Sequence, residues 1–166
     1  MPLSVLPLMR KQKSGHIIAV SSVGGILGHP MNDIYCASKF AVEGLYESIA
    51  PTNLQFGIQT SLVEPGAIRT DFVQNAQLPK SDDLPEDIKL VYNQYWNGMK
   101  ATYDASSSQT AEEVAEVVVK AIADGEAQKA SLRYQSSDLI RSRVGEKLID
   151  LSGNSQVQHS VSRYFQ

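Results

Sequence analysis

The sequence predicts an α/β fold built on a parallel sheet. Two short apolar runs, residues 16–20 and 57–63, read as buried strands because turn residues bound each one. Residues 33–50 between them read as one long helix. A strand–helix–strand order implies parallel strands joined by a right-handed crossover. With 166 residues, 42% of them hydrophobic, the chain suits a single domain.

Each element follows from its own residues. Leu3, Leu6, Leu8 and Met9 read as the end of an amphipathic helix, which residues 11–15 close. The strand at 16–20 lies between Gly15 and the pair Ser21-Ser22, and Gly24, Gly25, Gly28 and Pro30 make the next stretch a loop. The helix at 33–50 is capped by Asn32 or Asp33 and stopped by Pro51. Pro65-Gly66 ends the second strand. Past Thr70, Pro79, Asp82, Asp83 and Pro85 mark loop. Ile88, Tyr92, Tyr95, Trp96, Met99 and Tyr103 then recur at helical steps. Thr110-Ala111-Glu112-Glu113 has the character of a capping box and opens a helix to about Ala123. Residues 131–135 read as a last strand, 138–151 as a helix, and the remainder as a loose tail.

Composition removes several function classes. Fifteen basic and eighteen acidic residues give a net charge of −3 with no basic block, so neither nucleic acid nor an anionic membrane is expected as a partner. A single cysteine, Cys36, excludes an internal disulfide and a Cys-rich zinc site. No H-E-x-x-H or similar spacing points to a metal. The longest apolar run, 17–20, is too short to cross a bilayer. Residues 1–9 lack the basic leader and cleavage site of a signal peptide, and a cytoplasmic setting is expected.

The chemistry concentrates in Ser21-Ser22 and Tyr35-Cys36-Ala37-Ser38-Lys39. On a helix Tyr35 and Lys39 stand one turn apart and share a face. A tyrosine is a poor base at neutral pH unless something favours its anion, and a neighbouring ammonium does that. Ser22 falls at the carboxyl end of a parallel strand, where open α/β sheets place ligands. Taken singly, these signals are weak. Tyrosine and lysine meet at this spacing in many helices, and a Ser pair before Gly-Gly is ordinary turn chemistry. The ordered combination of strand, Ser pair, glycine loop, Tyr-x-x-x-Lys helix, strand and Pro-Gly is specific.

That order resembles the catalytic half of the short-chain dehydrogenase/reductase family. Ser22 precedes Tyr35 by thirteen residues (35 − 22), and Tyr35 to Lys39 matches the family's Tyr-x-Ala-Ser-Lys motif. Pro65-Gly66-Ala67-Ile68-Arg69-Thr70 matches the segment that wraps the nicotinamide. Ser21-Ser22-Val23-Gly24-Gly25, Asn32-Asp33-Ile34-Tyr35-Cys36 and Arg133-Tyr134-Gln135 look most like the 17-beta-hydroxysteroid dehydrogenase type 1 and photoreceptor retinol dehydrogenase branch. The resemblance implies an incomplete Rossmann-type, doubly wound parallel sheet whose N-terminal strands are missing. Residues 1–166 would form the C-terminal catalytic and substrate-binding part of one such domain, with 71–109 as the substrate loop or lid.

It also implies hydride transfer between NAD(P), with NADP slightly favoured, and the alcohol or ketone of a lipophilic, steroid- or retinoid-like substrate. Tyr35 would be the acid/base, Lys39 would support it and hold the nicotinamide ribose, and Ser22 would polarise the carbonyl. Pro65, Gly66, Ile68 and Thr70 would join Tyr35 and Lys39 around the cofactor. Val23, Gly24 and Asn32 would line the substrate beside Ser22. A homodimer is implied when the protein is complete.

The sequence departs from the family in having no G-x-G-x-x-G or Thr-Gly-x-x-x-Gly-x-Gly turn to hold a pyrophosphate, and no Asn-Asn-Ala-Gly segment. By itself the chain is therefore expected to be poorly stable and inactive. The alternative is a non-catalytic fragment that associates with full-length subunits through residues 1–9 and 33–50. A Ser/Lys hydrolase is the third reading, and Ser22 lacks the G-x-S-x-G elbow it needs. His16 reads as a strand-entry residue and His29 as a loop residue facing the substrate mouth. For Glu64 and Asp71, solvated or capping roles suffice. Cys36 has no base placed to activate it. The aromatic stripe suits a buried helix face and a substrate lid about equally.

Overall fold

Alternation along two strands sorts their side chains onto opposite faces of a small sheet. The computed structural model describes residues 4–76, 78–104 and 108–164. Strand β1 (Gly15–Val20) pairs in parallel with β2 (Ile58–Glu64), and β2 pairs in parallel with β3 (Arg133–Gln135). Ile17, Ala19, Ile58 and Leu62 meet Leu6, Val42 and Tyr46 on one face. Ile18 and Val63 meet Val114, Ala121 and Tyr134 on the other. Helices α1 (Leu6–Gln12) and α2 (Asp33–Leu54) thus cover the first face and α5 (Ala111–Glu126) the second. This is the layering expected of a doubly wound sheet.

The strand expected to be fully buried at 16–20 is only partly so. Ile17 is its one buried side chain, and Val20 is 55% exposed. The cause is position: β1 is an edge of the sheet, with β2 on one side only. Central β2 is buried from Thr60 to Glu64.

Pro51 does not stop α2, which runs on to Leu54. A proline this near a helix end removes little more than one main-chain hydrogen bond. The buried Asn53 then anchors the last turn, its Nδ2 donating to Thr60 Oγ1 on β2 at 3.0 Å. Gly57 turns the chain into β2 with φ of 69°, in the left-handed region glycine favours.

After Thr70 come α3 (Phe72–Asn75), a 3-10 turn at Ser81–Asp83 and α4 (Glu86–Asp104). Helix α4 carries the aromatic stripe, with Tyr95 fully buried. Leu3 and the side chain of Tyr103 lie outside the described residues. Thr110 caps α5 through the reciprocal capping box with Glu113 that the sequence predicts. Next comes α6 (Asp138–Ile149), whose Ile140 and Val144 bury against Val23, Ile26 and Leu27.

The expected loose tail is instead a helix, α7 (Asn154–Tyr164). Asp150 caps its approach by accepting from the backbone N–H of Ser152 at 2.9 Å and of Ser155 at 2.8 Å. Tyr164 then packs on α4, its ring 5.1 Å from that of Tyr95.

Candidate active site

Strand β1 delivers Ser21 and Ser22 to the carboxyl end of the sheet. Ser22 caps a 3-10 turn at Val23–Gly25, its Oγ accepting from Gly24 N–H at 3.0 Å. Val23 N–H donates to the Pro65 carbonyl at 2.8 Å, tying this loop to the exit of β2. Tyr35 and Lys39 lie on the first turns of α2. A β-carbon placed on Gly24 would stand 3.1 Å from Tyr35 Cε1 and 3.4 Å from Ser22 Oγ. Ser22 and Tyr35 therefore converge where the chain carries no side chain. Lys39 Nζ lies 5.8 Å from the Tyr35 ring centroid and donates to the carbonyls of Ser21 at 3.2 Å and Val20 at 3.4 Å.

The segment after β2 is held from the opposite side. Gly66 N–H donates to Ser136 Oγ at 3.3 Å, and a β-carbon on Gly66 would stand 2.6 Å from Ile140 Cδ1. Ile68 bridges to Gln109, and Arg69 Nη1 donates to the Ser108 carbonyl at 2.7 Å. Ile68 and Thr70 make no hydrogen bond to Ser22, Tyr35 or Lys39. Thr70 is exposed, and its Oγ1 accepts from Phe72 N–H at 3.4 Å. Phe72 does reach the group, its ring 5.9 Å from that of Tyr35 and edge-on. No local motif in the sequence marks it for this place.

Asn32 stands at the cap position of α2 without capping it. Its Nδ2 donates instead to the Pro30 carbonyl at 3.0 Å and to the hydroxyl of the buried Tyr95, which brings α4 over the loop. His29 N–H donates to Cys36 Sγ at 3.4 Å, and its imidazole Cδ2 is 3.6 Å from the same point above Gly24. Burial, then Arg143 and Arg163, push the His29 pKa down to about 4, so the ring is neutral at pH 7. His16 is structural, its Nε2 within 2.8 Å of Ser61 Oγ.

Glu64 departs from its expected solvated or capping role. It is fully buried and paired with Arg133 on β3. Burial first, and the Glu43 charge after it, push the Glu64 pKa up to about 7. Among the described residues no group of His, Cys, Asp and Glu is placed to hold a metal ion. None of the described helices is long and apolar enough to cross a membrane.

Comparison with known proteins adds an independent line. The short chain dehydrogenase family model matches residues 1–81. The human 17-beta-hydroxysteroid dehydrogenase type 1 is 38% identical over 155 residues, covering 92% of this chain and 46% of that protein. Bovine retinol dehydrogenase 8 is 35% identical over 164 residues, covering 95% of this chain and 51% of that protein. The chain thus spans about half the length of the curated relatives it matches. A short-chain dehydrogenase from Streptomyces avermitilis superposes with a TM-score of 0.68 at 24% identity, over 97% of this chain and 56% of that one. A short chain dehydrogenase/reductase from Burkholderia phymatum, solved in complex with NAD, gives 0.63 at 23% identity, over 87% of this chain and 52% of that one. These two likenesses carry the Rossmann-type fold expected from the sequence.

Proposed function

The chain belongs to the short-chain dehydrogenase family, and from that premise we propose that it serves hydride transfer between a nicotinamide dinucleotide and the alcohol or ketone of a lipophilic substrate. One observation carries the reading. Ser22 Oγ and the Tyr35 ring converge above Gly24, with the Lys39 ammonium beside the ring.

Each side chain then has a task set by its bonds. The Tyr35 hydroxyl gives its proton to the substrate oxygen in reduction and takes it back in oxidation. Ser22 Oγ already accepts from Gly24 N–H, which leaves its own O–H to donate to the same oxygen. Lys39 places positive charge where negative charge develops on Tyr35 as its proton leaves. Val23, Gly24 and Asn32 line the substrate side, and the aromatic face of α4 suits the apolar body that the relatives' names suggest.

The residues present fit the nicotinamide end of NAD or NADP. Tyr35 and Lys39 would hold its ribose, and Pro65, Gly66, Ile68 and Thr70 its ring side. The dinucleotide supplies or accepts the hydride. Its pyrophosphate needs a glycine-rich turn at a helix N-terminus, which none of these 166 residues provides. Turnover accordingly depends on a second stretch of polypeptide carrying that turn. Apolar side chains on the outside of α1 and α2, Leu8, Ile34, Phe40 and Leu45, support pairing of two copies through these helices.

The test is ketone-dependent NAD(P)H oxidation by the chain joined to a dinucleotide-binding half. Expected is turnover that Tyr35→Phe lowers by about 10²–10⁴-fold. Full activity in Tyr35→Phe would overturn the assignment. The open edge of β1 favours a second reading, a non-catalytic subunit that docks on full-length homologues. Co-purification with such a homologue, with no turnover by the joined protein, would support it.

A further inference from the structure

One guanidinium joins the helix of the acid/base to the end of the central strand. Tyr35, Lys39, Glu43 and Glu47 follow at four-residue steps along α2, so one slowly drifting stripe carries the tyrosine, its ammonium and two carboxylates. Arg133 Nη2 donates to Glu47 Oε2 at 3.2 Å and lies 3.3 Å from Glu43 Oε2. On its other side Arg133 Nε lies 3.1 Å from Oε1 of Glu64, the last residue of β2. Gln135 Nε2 donates to the second oxygen of Glu64 at 2.7 Å, so β3 holds both oxygens of that carboxyl. Pro65 and Gly66, assigned above to the nicotinamide, follow directly in the chain.

Glu43 also braces the loop that carries Ser22. Its Cγ stands 2.8 Å from where a β-carbon on Gly25 would lie, and the Lys39 carbonyl oxygen and Ser21 Oγ stand 3.0 and 3.1 Å from the same point. The Ser21 carbonyl in turn accepts from Lys39 Nζ at 3.2 Å. A guanidinium presents its donors in a rigid plane and can grip several carboxylates in fixed directions, which a single ammonium cannot do. A buried ion pair adds little stability over well-packed apolar side chains, so the distinctive product of this cluster is a fixed geometry.

We propose that Arg133 is a positioning residue: gripping Glu43 and Glu47 on one side and Glu64 on the other, it sets the separation between Tyr35 and a nicotinamide bound beside Pro65-Gly66. This rests on the hydride-transfer reading and adds to it the residue that aligns the proton donor with the hydride donor.

The test uses the chain joined to a dinucleotide-binding half and reads ketone reduction by NAD(P)H in a single turnover, where lost folding lowers the amplitude and lost alignment lowers the rate. R133K keeps a cation for the buried carboxylates and removes the planar fork. Expected is a single-turnover rate about 10–100-fold lower than in the unmodified protein. NAD(P)H affinity changes less than about threefold, because another segment holds the pyrophosphate. E43Q/E47Q takes the charge of α2 away from Arg133 and leaves the Glu64 pair in place. It strands no buried charge, so it covers the case in which R133K fails to fold, and its rate is expected to fall about tenfold.

An unchanged rate in either folded variant overturns the proposal. So does a loss of NAD(P)H affinity as large as the loss of rate, because Arg133 would then support cofactor binding as a whole. Hydride transfer that Tyr35→Phe abolishes and both clamp variants leave unchanged overturns the positioning role alone. No hydride transfer in the unmodified joined protein overturns the hydride-transfer reading, and the positioning role falls with it.

Discussion

Arg133 Nε lies 3.1 Å from Glu64 Oε1 and binds β3 to β2 on the α2 face of the sheet. The same guanidinium reaches Glu43 at 3.3 Å and Glu47 at 3.2 Å, so three carboxylates share one cation. Glu64 is fully buried, and its pKa rises from 4.5 to about 7. In that interval the folded chain holds a proton that the unfolded chain releases. The associated stability is fully present below pH 4.5 and is lost as pH rises through about 7. Urea unfolding is therefore expected to show stability falling between pH 5 and pH 8. Glu64→Gln flattens that slope and is the more stable protein at pH 8, by about 1–3 kcal/mol. A slope in Glu64→Gln equal to that of the unmodified chain would place the titration elsewhere.

Removing the cation has the opposite sign. Arg133→Met leaves Glu43 and Glu64 buried without it and is expected to cost about 3–5 kcal/mol above pH 7. The loss shrinks at pH 5, where Glu64 carries its proton in either protein. Denaturation midpoints at the two pH values decide it, and an equal loss at both would refute the shared-cation account.

Gly57 and Gly44 make a pair with opposite outcomes. A β-carbon on Gly57 would stand 2.4 Å from the Lys13 carbonyl oxygen at a φ of 69°, so Gly57→Ala is strained and obstructed. Its expected cost exceeds about 2 kcal/mol. Gly44, inside α2, has nothing within 4 Å, and Gly44→Ala should stabilise by about 0.5–1 kcal/mol. Thermal melts of both variants give the comparison.

Gly24→Ala tests the site without replacing a reacting group. The new methyl must push the Tyr35 ring by a few tenths of an ångström. Turnover of the joined enzyme is expected to fall about tenfold, with little change in the urea midpoint. An unchanged kcat would mean that the ring does not depend on the space at Gly24.

What the sequence made legible follows from the range of the interactions. The two apolar strands, the long helix and the Thr110 cap depend on neighbours within a few residues, and the spacing of Ser22, Tyr35 and Lys39 is equally local. Helix α7 was hidden because its buried face amounts to Ser160 and Tyr164 in a run of polar residues. Pro51 misled because its cost is small where the buried Asn53 holds the turn to Thr60. Glu64 looked solvated because its cation stands sixty-nine residues later (133 − 64), a pairing that only the folded sheet creates. Phe72 meets Tyr35 through a turn whose course no local motif fixes.

The distance between Glu64 and Arg133 along the chain also sets a schedule during synthesis. A ribosome adding about 5–20 residues per second reaches Arg133 roughly 3–14 s after Glu64. Both β1 and β2, with the helix between them, are made before that moment. If the pair of strands docks early, Glu43 and Glu64 meet without their cation, and one carboxyl must keep its proton. The nascent half-sheet therefore waits on its own later sequence for the guanidinium that its buried carboxyls share.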